Sequence, residues 1–546
     1  MSHALTYWHT VRHLRGSQFY NRVWRQVYRP PIDRSPVPPL NASPGTGWVN
    51  PAERRPSLIA ADRFEFLHER HSLADHGWDD PSLSKLWRYN LHYFDDLNAQ
   101  GAHGRAAWHA ALLRRWVAEN PPAAGTGWEP YPTSLRVVNW IKWAMSGNRL
   151  PEECTHSLAV QTRWLSRRLE FHLLGNHLFA NAKALIFAGV YFEGPEADRW
   201  LTAGLRILGR EIPEQILPDG GQFERSPMYH ALALEDMLDL CNVARDARHA
   251  VFADEPGLGA GWLARVNAMR AWLTAMCHPD GEISFFNDAA IGIAPSPSVL
   301  EAYAARLGCG SPGATRDGLT HLVESGYIRL QRDAMVALLD VAPIGPDYLP
   351  GHAHADTLSF ELTLAGQRVV VNTGTSCYGS GGERLRQRGT AAHSTVIVDG
   401  QNSSEVWGGF RVARRARPIG LEIEESDDTI VRCGHDGYKR LAGRPLPLRE
   451  WKSGAGHLVI NDTITGRFEH AEARFHLHPS IVVAAVTDSE IDLRLDAGRP
   501  VRISVRGGAL RRDPATWHPE FGMSQPTSCL VAVFGGPALQ TCFTWA

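Results

Sequence analysis

Apolar positions recur at three- and four-residue spacing from about Leu83 to Leu307, in segments such as 105–119, 133–147, 155–172, 175–192, 196–212 and 228–246. Short Gly, Pro and Asp breaks separate these segments. That period places the apolar residues on one helical face, so each segment is predicted to be a helix, and the run suggests antiparallel helices closing into a toroid or solenoid. Residues 4–29 carry the same helical pattern, and eight prolines then fall between Pro30 and Pro56, an extended wrapping segment with no core of its own. Near Val323 the period changes. YIRLQRD, MVALLDV, LSFELTLAG, QRVVVNTG and STVIVDG are short runs rich in β-branched residues, bounded by Gly, Asp and Pro, and the pattern persists to the C-terminus. Such regularly spaced strands predict an antiparallel β-sandwich. The expected architecture is therefore multidomain α+β: a helix and Pro-rich segment over 1–60, an (α/α) toroid over 61–318 and a β-sandwich over 319–546. The cleft between the last two is the natural seat for a polymer.

Composition narrows the ligand. A formal net charge of −2 over 546 residues makes no case for a nucleic-acid partner, so an anionic ligand needs a local basic cleft. Eighteen Trp offer flat faces for sugar rings, and 25 His offer proton transfer or metal ligation. The eight Cys are scattered with no CxxC pair and read as reduced thiols. No stretch approaches a membrane span, and residues 1–30 lack the apolar core of a secretory signal, so the expected location is cytoplasmic. Arg12, Arg15, Arg22, Arg25 and Arg29 precede the first acid, Asp33. A packed helix with a solvated basic face is preferred there over a membrane-surface helix.

Four segments carry the candidate chemistry: GWEPYPTSLRVVNW (127–140), HLLGNHLFANAKAL (172–185), EQILPDGGQFERSPMYH (214–230) and PGHAHADTLSFEL (350–362). The last is followed by VVVNTGTSCYGSGGERLRQRGTAAHSTVIVDG (369–400). From the residues alone, Asn176 and His177 are polar intrusions in an apolar helix, Tyr229 stands at a helix entry, and His352 and His354 alternate along one face of an extended chain. Each has an ordinary reading as a satisfied core or junction residue. Taken together and in order, the motifs resemble the heparinase II/III superfamily and its alginate-lyase relatives.

That resemblance implies a toroid joined to a β-sandwich. It also implies β-elimination at a uronic acid of an acidic polysaccharide or oligosaccharide, either glycosaminoglycan-like or alginate. It assigns Asn176 to the substrate carboxylate and His177 to a second active-site position. Tyr229 becomes the proton donor to the leaving oxygen, and in some members also the base; His352 becomes the base or a partner of the carboxylate. Glu224 is expected to hold a sugar hydroxyl or orient a catalytic side chain. Arg136, with Trp128 and Glu129 nearby, is expected at bound sugar. Asn287, beside Asp288, is expected to order a loop facing the cleft, and Arg384, Arg388, Arg411 and Arg414 to supply its positive charge. His354 and His393 fall where some members hold a divalent metal such as zinc. The third position is Asn372 instead of aspartate, an uncommon zinc ligand, so any metal is expected to be structural; no organic cofactor is implied. A different class of function stays open: a catalytically silent protein that binds acidic polysaccharide during assembly or export. A hydrolase would want two carboxylates at a set separation, and these motifs are dominated by His, Asn and Tyr.

Overall fold

The computed structural model describes residues 3–42, 47–246, 251–252, 256–496 and 498–545. Four helices pack side by side as an inner layer: Lys85–Tyr93, Pro130–Met145, Gly175–Tyr191 and Pro227–Asp246. Ala106–Glu119, Glu152–Ser166 and Pro195–Gln215 lie outside them. The inner position explains the composition. Gly175–Tyr191 is buried nearly all round, and a helix touched on every side needs no polar face. Pro195–Gln215, with one face to solvent, is strongly amphipathic instead. The helical half is thus a toroid with a single core running from Ala52 to Leu307.

The second half is two antiparallel sheets. One has eight strands, from Pro418–Glu425 at one edge to Val482–Val486 at the other. The other has nine, from Gly508–Trp517 to Gly318–Leu322, with Val396–Val398 paired to Ala471–Leu477. Strand Met335–Asp340 shows why MVALLD lacks the alternation of a half-exposed strand. Met335, Ala337 and Leu339 enter the core between the sheets, while Val336 and Leu338 pack on Trp272, Met276 and Phe286 of the toroid. With both faces covered, every position can be apolar. At about 1.5–3 kcal/mol for each fully buried large side chain, this seam makes the two halves one packed body at their junction.

The reading of 4–29 as one helix is corrected: the chain forms His3–Val11 and Gly16–Val27, with a break at Leu14–Arg15. The segment read as 155–172 stops at Ser166 and turns through Glu170, which bonds His177.

Candidate functional site

The junction holds a loop from the β-half, residues 341–359, against a loop of the toroid, residues 283–290. Backbone and side chains lock them together. Asp288 N–H donates to His352 O (3.0 Å), His354 N–H to Asn287 Oδ1 (2.9 Å), and Asn287 N–H to Asp356 Oδ2 (2.8 Å). Asn287 also donates to Arg225 O and sits at φ 56°, a left-handed conformation that Asn tolerates better than most residues. It orders the loop, as expected, but its amide is spent and 4% exposed, so it is not a sugar contact.

His352 emerges from this clamp with a carboxylate on each side. Its Nδ1 lies 2.9 Å from Asp288 Oδ2, and its Nε2 faces Glu224 Oε2 at 3.8 Å. Asp288 is fully buried and carries a bidentate pair from Arg384, whose charge, with the His352 and His354 bonds, holds the carboxyl well below the ordinary range against its burial. A carboxylate behind one imidazole nitrogen fixes the tautomer and leaves the other nitrogen to work. Glu224 is also buried; burial raises its carboxyl above the usual value, and Oε2 has no hydrogen-bond partner. It stands between His352 and Gly175.

Tyr229 lies over the His352 ring, centroids 3.9 Å apart, and its phenol is 2.8 Å from that of Tyr378. Ser226 caps the start of Pro227–Asp246 and accepts from Tyr229 N–H, which fixes the helix entry. Burial pushes both phenols well above 10, so each keeps its proton at neutral pH. Phe410 packs on Tyr378 and His352. His230, which sequence reasoning left without a role, points into the toroid core and bonds Met269 O.

Asn176 and His177 open the inner helix Gly175–Tyr191. Leu174 precedes it at φ 67°, ψ −156°, a region strained for any side chain, and Gly175 follows at φ 56°. This double left-handed step turns the chain sharply into the helix beside Glu224 and Leu349. Asn176 is half-buried, and its amide has no partner among the described residues. His177 Nδ1 donates to Glu170 Oε2 (3.2 Å), and its ring lies tilted against Tyr131, centroids 4.4 Å apart. Glu170, bonded also by Asn181, is held low by His177 and Arg25 despite its burial.

Several expected residues lie elsewhere. Arg136 is fully buried: its guanidinium sits 3.9 Å over Trp116 and donates to Gln161 Oε1 (2.8 Å) and His92 O (3.3 Å). Trp128 is buried against Trp116, and its N–H donates to Asn120 O. Both belong to the toroid core and not to a sugar surface. Glu129 is half-buried and tied to Tyr89 and Lys85. Arg384 and Arg388 do not supply free charge: the first neutralises Asp288, and the second donates to Ala353 O beside His352. Arg414 pairs with Glu405, and Arg411 lies over Trp407.

The metal position does not fit its ion. His354 Nδ1 and His393 Nε2 face each other at 3.2 Å, and Asp288 backs His354. Asn372 turns away, donating to Ser359 Oγ and accepting from Ser394 N–H. Among the described residues no three His, Cys, Asp or Glu side chains converge as ligands. Two neutral imidazoles, held to about 4 and about 3 by burial, leave a dication without a charged ligand.

Sequence reasoning missed Tyr378 and Glu170 and gave Asp288 only a loop role. Tyr378 sits in a Gly- and Ser-rich loop, where an isolated aromatic is the sole signal. Asp and Glu beside turns are usually capping or solvated residues.

Comparison with known proteins bears on this geometry. Residues 99–304 match the profile described as the heparinase II/III N-terminus, and 314–546 match that of the heparinase II/III-like C-terminal region. A heparin-sulfate lyase of Bacteroides stercoris is 27% identical over 249 residues, 42% of this chain and 36% of that protein. The chain thus spans about a third of that relative's length. The FtsZ-localized protein C of Caulobacter vibrioides is 25% identical over 480 residues, 81% of this chain and 78% of that one. Among solved structures, heparinase III superposes with a TM-score of 0.66 at 17% identity, covering 86% of this chain and 77% of the other, a likeness of fold. Matched on both sides of the junction by the two halves of one family, in order and over most of its length, the chain belongs to the heparinase II/III family.

Proposed function

We propose that the protein is a polysaccharide lyase that cleaves a uronic-acid-containing polysaccharide by β-elimination. The observation that carries this is His352, backed by buried Asp288 at Nδ1 and covered by the protonated phenol of Tyr229. Elimination requires removal of the weakly acidic proton on carbon 5, relief of the adjacent carboxylate charge and a proton for the oxygen leaving carbon 4. His352 Nε2 takes the carbon-5 proton, and Asp288 stabilises the imidazolium as it forms. The electron pair becomes the carbon 4–carbon 5 double bond as the bond to oxygen breaks, and Tyr229 gives its proton to that oxygen. Because burial keeps the Tyr229 phenol protonated at neutral pH, Tyr229 is available as the proton donor, and the base role is assigned to His352. The free amide of Asn176, at a helix N-terminus, receives the substrate carboxylate.

The relative named a heparin-sulfate lyase favours a heparan-sulfate-like polymer; alginate remains the alternative uronate. A second reading is a silent polysaccharide binder. It is favoured by one finding: the relative sharing 78% of its length with this chain is named for its place with FtsZ and not for a reaction. Incubation with heparan-sulfate-like, chondroitin-like and alginate polymers separates the two. A lyase releases fragments with near-ultraviolet absorbance, one water lighter than hydrolysis products. Retention of polymer with no absorbance on any member favours the binder.

A further inference from the structure

Helix Gly16–Val27 is built inside out. Its apolar residues Phe19, Tyr20, Val23, Trp24 and Val27 fall on one arc and are 47–76% exposed. Its polar face meets the protein: Gln18 is buried and donates to Tyr348 O, and Arg25 approaches Glu170 at 4.0 Å. In an ordinary surface helix the two faces are reversed. Helix His3–Val11 repeats the arrangement. It is pinned through Thr10, which accepts from Trp407 Nε1, while Leu5 and Trp8 stand 50% and 60% exposed. Arg15, itself exposed, reaches Glu214 and the Tyr348 ring, and Arg12, Arg22 and Arg29 are exposed as well. No acidic residue occurs between positions 3 and 29.

We propose that these two helices form a strap that docks the protein on an anionic phospholipid bilayer. An outward apolar face of Trp, Phe, Tyr, Leu and Val bordered by arginines is the pattern of a helix lying in the headgroup plane. Charge selects this occupant over a second copy of the same face, which would bring unopposed arginines together. The strap touches both halves of the molecule: His3–Val11 rests on the β-half at Trp407, and Gly16–Val27 rests on the toroid near Glu170, the partner of His177. Docking there holds the edge of the cleft close to polymer lying at a lipid surface.

The test is co-sedimentation of the full chain with phosphatidylcholine vesicles, with and without phosphatidylglycerol. Binding should require phosphatidylglycerol and weaken with salt, and each of Arg22→Gln and Arg29→Gln should weaken it about fivefold. Val23→Glu with Trp24→Glu should abolish it while the melting temperature holds, because both side chains are already exposed. Wild-type protein that stays in the supernatant, or a double variant that still sediments, overturns the proposal. So does a wild-type dimer in analytical ultracentrifugation that the double variant converts to monomer, which would assign the face to a second copy.

Discussion

At the scale of single residues, the same side-chain type serves opposite ends depending on what surrounds it. Arg384 and Arg136 are both fully buried, yet Arg384 faces the Asp288 carboxylate while Arg136 has only neutral oxygens and the Trp116 face. Arg136 is therefore a packing cation of the toroid. Arg136→Ala should remove its buried hydrogen bonds and leave a void, costing roughly 2–4 kcal/mol of stability. If the protein is the proposed lyase, the Michaelis constant of the folded variant should barely move. Thermal melting beside steady-state kinetics checks this; an unchanged melting temperature with a tenfold higher Michaelis constant would restore the sugar-contact role. This residue also marks what the sequence leaves illegible. SLRVVNW shows an arginine one turn from a tryptophan, and nothing in that spacing says which side of the helix is solvent. Asn176, His177, Tyr229 and His352 were singled out as a set by the ordered motifs that carry the family resemblance; taken singly, each reads as an ordinary core or junction residue. Asp288 was only half legible, because the three partners that make it a strong carboxylate lie 64, 66 and 96 residues away.

At the scale of elements, the entry to Gly175–Tyr191 concentrates the unusual backbone. Leu174 and Gly175 both have positive φ, and the next residue offers an unpartnered amide at the helix start. Free N–H groups and the helix dipole favour an anion at that end, so in the proposed mechanism Asn176 acts together with the element. Asn176→Ala should lower turnover by roughly a hundred- to a thousandfold, since a bond that tightens as charge builds acts on the transition state. Single-turnover rates and substrate binding decide it: weakened binding with normal turnover would make Asn176 a simple anchor. Helix identities were plain from the 3.6-residue period, but ends were not. Leu169, four residues after Leu165, continues the spacing beyond Ser166 although the chain has left the helix there, because Leu169 and Phe171 in that turn pack on the same core. Gly16, by contrast, was an available signal for the break between the first two helices.

For the molecule as a whole, the two halves meet at strand Met335–Asp340, which is buried on both faces, and many imidazoles are trapped neutral inside them. Burial lowers His92, His230, His393 and His435 to about 3, and His354 and His476 to about 4. Their unfolded forms titrate near 6.5, so between pH 6.5 and about 4 the unfolded chain binds more protons than the folded one. Stability is then full above pH 6.5 and falls as pH drops, by up to about 1.4 kcal/mol per pH unit for each such group. Melting temperatures at pH 7.5, 6.5, 5.5 and 4.5 should show a plateau between the first two and then a steepening loss. A flat profile down to pH 4.5 would mean that these histidines are not buried neutral. The toroid-plus-sandwich architecture was legible because the hydrophobic period changes once, near Val323, and each half has its own core. The double burial of Met335–Asp340 was not, because a short apolar run does not state what covers it.

The division of labour between Tyr229 and His352 can be read in one comparison: initial rates of near-ultraviolet product formation by wild-type and Tyr229→Phe protein, on the polymer the wild type cleaves. The change removes one oxygen, and the ring can keep its place over His352, so fold and binding should survive. Turnover should fall by about two to four orders of magnitude, the usual worth of one acid–base group. A folded Tyr229→Phe protein that forms unsaturated product at the wild-type rate would contradict the mechanism.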